Sequence, residues 1–117
     1  MSAPEPLRDY LDSARNTLGR ASWIDGDALT HNAGVFLSSG RVLVARSPEA
    51  DEAYEECVER IRTLREELSR RAFQSDAQNE QLESARQNAL EAIDRLESIW
   101  DEADLSDEAR ALGYGPP

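Results

Sequence analysis

From Glu49 to Leu112 the chain carries neither glycine nor proline, and this stretch constrains the fold more than any other feature. Such a run, with apolar residues at helical spacing, reads as long helix. Its start is marked by Ser47-Pro48-Glu49. Serine suits an N-cap, proline the first helical position, and Glu49, Asp51 and Glu52 the positive end of a helix dipole.

Within the run, Tyr54, Cys57, Val58, Ile61, Leu64 and Leu68 form one apolar stripe. Leu82, Ala85, Ala89, Ala92, Ile93, Leu96, Ile99 and Trp100 form another. Both share one heptad phase, so a single coiled-coil helix over 48–103 is one reading. The second reading is a helical hairpin. The seam turns polar at Arg71, Ser75 and Gln78, and Ser75 with Gln78 makes a capping-box pattern. Apolar residues at Val58, Ala72, Ile93 and Trp100 also widen the stripe beyond a dimeric seam, which favours a bundle.

Upstream, Leu7, Tyr10, Leu11, Ala14, Leu18 and Ala21 predict a helix over 5–20, with Pro4 and Pro6 at its entry and Gly19 near its exit. A connector over 21–26 follows, with Asp25 or Asp27 as a candidate cap. Residues 27–45 have two readings. Val35-Phe36-Leu37 and Val42-Leu43-Val44 around Ser38-Ser39-Gly40 suggest a β-hairpin. Leu29, Ala33, Phe36, Leu37, Gly40, Leu43 and Val44 also fit one helical face, opposite a polar or small stripe of Asp27, Thr30, His31, Gly34, Ser38 and Arg41. The double agreement favours helix, with Gly34 and Gly40 allowing a close helical neighbour. A short turn is expected at 106–112.

The expected fold is therefore mainly α: a small antiparallel bundle of about four helices, in one domain over 1–112 with a flexible tail at 113–117. The alternative is a helix, a β-hairpin at 34–45 and a long coiled-coil helix at 48–103. A length of 117 residues suits one domain.

Charge is the most informative functional feature. The net charge is -11, from 24 acids and 13 bases, and every base is arginine. Lysine-free acidity is also the mark of a salt-adapted or high-GC source. The pI near 4.4 argues against direct contact with nucleic acid or an anionic membrane. Residues 48–56 hold Glu49, Asp51, Glu52, Glu55 and Glu56 with no base. Residues 97–108 hold Glu97, Asp101, Glu102, Asp104, Asp107 and Glu108, again with no base. These two blocks together equal the net charge. By contrast, Arg60, Arg62, Arg65, Arg70 and Arg71 crowd residues 60–71 against Glu66 and Glu67. A hairpin would bring the acidic blocks together at one end and the arginines toward the other. A continuous helix would hold the blocks about 70 Å apart.

No catalytic, cofactor or metal site is expected. His31 is the single histidine, and nothing in its local sequence supports a Ser-His or Cys-His pair. Glycine-rich phosphate loops and Glu-x-x-His pairs are missing. Glu52, Glu55, Glu56 and Glu59 read as a solvated face rather than a hard-cation site. Cys57 and Trp100 read as packing residues, and Trp23, if exposed, as a partner anchor. One thiol and no leader-like N-terminus suggest a reducing, cytoplasmic setting.

Three functions follow as expectations. The first is a non-enzymatic interaction module (adaptor, chaperone-like or assembly protein) that binds a basic protein or copies of itself. Its candidate contacts are Glu49, Asp51, Glu52, Glu55, Glu56, Asp101, Glu102 and Asp104. The second is an acidic inhibitor or nucleic-acid mimic, for example phage-encoded, that blocks a positively charged groove. The third is a small-molecule binder or enzyme using Asp27, His31, Arg41 and Tyr54 in one pocket.

Overall fold

The computed structural model describes residues 5–22, 24–71 and 79–114, with the side chains of 5, 6, 71 and 79 left aside. Five helices follow in order: α1 (Glu5–Arg20), α2 (Gly26–Arg41), α3 (Pro48–Arg71), α4 (Asn79–Glu102) and the short α5 (Asp107–Ala111). The first four form a ring in which each packs against its neighbours, α1 on α2, α2 on α3, α3 on α4 and α4 back on α1.

Ion pairs fix the directions. Asp27 meets Arg65, and Arg41 meets Asp51, so α2 runs antiparallel to α3. Glu56 meets Arg95, so α3 and α4 lie side by side rather than in one continuous helix. The small mainly α bundle is the fold, and both the hairpin at 34–45 and the long coiled coil are set aside. The capping-box pattern at Ser75 and Gln78 lies outside the described residues.

The apolar stripes explain the packing. Leu7, Leu11, Ala14 and Leu18 of α1 are fully buried, as are Cys57 and Leu64 of α3 and Ala89, Ile93 and Leu96 of α4. Each such leucine or isoleucine contributes about 1.5–3 kcal/mol. Ser47 caps α3: its Oγ accepts the Ala50 amide at 3.1 Å. Asp25 precedes α2 but turns its carboxylate back, accepting the Ser22 amide at 2.8 Å and hydroxyl at 2.9 Å. These Ser22 hydrogen bonds hold the Asp25 carboxyl below its ordinary pKa. The expected side-chain cap there is therefore a connector lock instead.

Two further expectations are corrected. Thr30 is buried, not on a polar stripe, because α2 packs on both α1 and α3; its hydroxyl donates to the Gly26 carbonyl at 2.5 Å. Val58 does not widen the buried stripe: it is 38% exposed.

Gly40 serves as the spacing suggested. A Cβ there would lie 2.9 Å from Trp100 Cζ3 and 3.0 Å from Leu7 Cδ1, so three helices converge on it. Gly34 does not: a Cβ there would have nothing within 4 Å.

Gly113 and Tyr114, expected in a frayed tail, are bonded into the end of α5. Tyr114 N–H reaches the Ala109 carbonyl and Gly113 N–H that of Arg110, with Gly113 at φ +94°. This is the left-handed glycine ending common to helices. Residues 115–117 lie outside the described part.

Candidate functional site

The two acidic blocks meet at one end of the bundle. Three contacts place them there. The Glu56–Arg95 pair joins the third turn of α3 to α4, and the α2–α3 loop is stitched to the segment after α4. In that stitch, Ala45 N–H donates to the Asp104 carbonyl at 2.8 Å and Ser106 N–H to the Leu43 carbonyl at 3.0 Å. Val44 and Leu105 form the antiparallel bridge between them. The β-prone Val42-Leu43-Val44 run thus pairs with residues 104–106 rather than with 35–37.

Ser106 is the knot of this arrangement. Its hydroxyl donates to the Val42 carbonyl at 2.5 Å and accepts the Ala109 amide at 3.1 Å. One side chain therefore ties the α2–α3 loop to α4 and caps α5. Nothing in the local sequence distinguishes it from an ordinary N-cap serine.

The eight candidate contact residues divide in two. Glu49, Glu52, Glu55, Glu102 and Asp104 are exposed. Asp51, Glu56 and Asp101 are half-buried, and all three are engaged inside the molecule. Asp51 accepts from Arg46 at 3.1 Å and from Arg41 at 3.5 Å. The Arg46 hydrogen bond, aided by the charges of Arg46 and Arg41, holds the Asp51 carboxyl below its ordinary pKa despite slight burial. Glu56 is shared by Arg95 and Arg60. Arg41 also stacks on Tyr54, 4.4 Å from its ring centroid. The acid end therefore carries its own arginine scaffold, drawn from outside the two blocks.

The arginine-rich half of α3 is not an open basic patch. Arg60 pairs with Glu56, Arg62 with Glu59, Arg65 with Asp27 and Arg70 with Glu67. The expected electrical polarity is thus blunted at the arginine end.

Sequence reasoning also missed Arg15. Its guanidinium reaches Asp94 at 2.9 Å and Glu97 at 2.8 Å, with Asp12 at 3.1 Å. Burial opposes its charge, but Glu97 and Asp94 outweigh that and hold its pKa above the ordinary value. Arg86 similarly donates to the Leu18 carbonyl, closing the last turn of α1. Both pairings depend on which helices become neighbours.

Of the residues of the small-molecule reading, Arg41 meets Tyr54, but the four do not converge in one place. Asp27 and Arg41 stand at opposite ends of α2, about 21 Å apart. His31 is exposed between them. Cys57 is wholly buried, and desolvation pushes its thiol up to about 12, so it is a packing residue and not a nucleophile at neutral pH. Among the described residues no group of three or more His, Cys, Asp or Glu gathers as a metal site. Trp100 is buried, while Trp23 lies outside the described residues. No described helix is long and apolar enough to cross a membrane.

Comparison of the chain with protein-family models, with curated proteins and with solved structures finds no match.

Proposed function

We propose that the protein is a non-enzymatic interaction module, of the adaptor or assembly kind, which docks a basic partner protein against the acid end of its bundle. One observation carries this reading. Two base-free segments, far apart in sequence, are brought together by the Glu56–Arg95 pair and the Ala45–Asp104 hydrogen bond. Repulsion between them opposes folding, and Arg41, Arg46 and Arg95 offset it at selected carboxylates only. Glu49, Glu52, Glu55, Glu102 and Asp104 stay exposed. A concentrated field of this kind speeds encounter with a cationic partner and selects against anionic ones. Carboxylates gathered at one end suit a compact basic patch better than a groove shaped for a ladder of phosphates. The module acts in the cytoplasm, where its lone buried thiol needs no partner.

The test is affinity capture from a lysate of the source organism at low and at high salt. The proposal expects a defined basic protein at low salt that is lost at high salt, where charge is screened. Recovery of this chain alone at low salt would overturn it.

A further inference from the structure

The face between α2 and α3 has a different character from the acid end. It forms a groove of about 590 Å³ lined by Val35, Val42 and Val58, with Gly34 in its floor and Arg62 and Arg65 on its rim. In a chain of net charge -11, no carboxylate among the described residues lines it. Among the described residues five large apolar side chains are exposed, and three of them are these valines, at 48%, 55% and 38%. Clustering of that kind marks a contact surface rather than scattered surface apolarity.

The groove has an internal symmetry. The Asp27–Arg65 and Arg41–Asp51 pairs set an antiparallel register in which Gly34 lies level with Val58. Along α3, Glu55 stands three residues before Val58 and Arg62 four residues after it, on the same helical face. A twofold axis crossing both helices at this level would lay α3 antiparallel on its copy. Val58 would then meet the partner's Val58, Glu55 the partner's Arg62, and Arg62 the partner's Glu55. Gly34, with open space around its Cα, leaves a notch beside Val35 for the partner's Val35.

We propose that this face binds a second copy of the chain, forming a closed twofold dimer about the Gly34–Val58 level. The charge pattern reads the same from both sides, as an isologous interface requires. Among the described residues Arg62 pairs with Glu59, at 3.0 Å and with both side chains exposed. Such a surface pair is worth little, so exchanging it for the partner's Glu55 costs little. Glu55 belongs to both surfaces, but Val35 does not, so the Val35→Asp arm below tests this inference independently of the proposed function.

Sedimentation equilibrium on the full chain across a wide concentration range tests it. A monomer–dimer equilibrium is expected. Val35→Asp should raise the dissociation constant by about tenfold or more. Glu55→Arg and Arg62→Glu should each raise it by about three- to tenfold, and the double reversal should restore it. All three substituted positions are exposed, and circular dichroism melts will confirm that the four variants fold. A monomer up to the highest soluble concentration overturns the proposal. So does an assembly larger than a dimer, a dimer indifferent to Val35→Asp, or a charge reversal without rescue.

Discussion

The acid end and the α2–α3 groove are both exposed, yet they are built in opposite ways. At the acid end, loops 42–46 and 104–106 are tied by backbone hydrogen bonds, and Gly40 is wedged against Trp100 and Leu7. Like charge is held there by dense packing beneath it. In the groove, a Cβ added at Gly34 would meet nothing within 4 Å, valines face outward, and the arginines are held by surface pairs. The lesson is that charge crowding demands a rigid base, whereas an apolar face left open tolerates looseness until something covers it.

The two glycines of α2 sharpen this contrast most. Gly40→Ala forces Trp100 to move, because the indole is rigid where Leu7 Cδ1 is not. Overpacking of this kind costs about 1–3 kcal/mol, and alanine's helix propensity returns about 1 of that. Thermal melts should therefore place this variant below wild type. The same melts should place Ser106→Ala next, down by about 1 kcal/mol from the lost α5 cap and the orphaned Val42 carbonyl. Gly34→Ala should instead gain about 0.5–1 kcal/mol, measured at low protein concentration, since nothing opposes its Cβ. A loss at Gly34, or a gain at Gly40, would erase the difference between the two regions.

The smallest effect concerns pH. Asp51 has a folded pKa below its unfolded one, so its pairing with Arg46 and Arg41 stabilises fully above the unfolded value, about 3.9. That contribution disappears as pH falls through the lower folded value. Chemical-denaturation midpoints of wild type and Asp51→Asn should differ at neutral pH and converge in acid. A gap that widens on acidification would contradict the assignment.

Much of this architecture was legible in the sequence. Leu7, Leu11, Ala14 and Leu18 repeat at helical spacing with their buried face complete, and Ser47-Pro48-Glu49 marks the start of α3 where it falls. Segments that serve two neighbours were harder. Thr30 looks polar, but a threonine can bury its hydroxyl on its own helix, so α2 hides more than its apolar face. Val58 looks like core, but the ring of four helices leaves its side of α3 uncovered. Val42, Leu43 and Val44 do favour extended structure, but their partner is 104–106, distant in sequence.

At the candidate site, the charge segregation could be read directly, since it needs only a list of residues. Which carboxylates are already taken could not. Asp51 and Glu56 look no different from Glu49 and Glu52 until Arg41, Arg46 and Arg95 are brought beside them by the fold.

The central claim is that the location of the negative charge matters, not its amount. It is tested most directly by two triple variants of equal net charge, compared by capture at low salt. One neutralises the acid end with Glu49→Gln, Glu52→Gln and Glu102→Gln. The other neutralises exposed acids elsewhere with Glu66→Gln, Glu80→Gln and Glu91→Gln. The first should lose the basic partner and the second should keep it. Equal loss from both would show that bulk charge alone draws the partner, and the acid end would cease to be a docking surface.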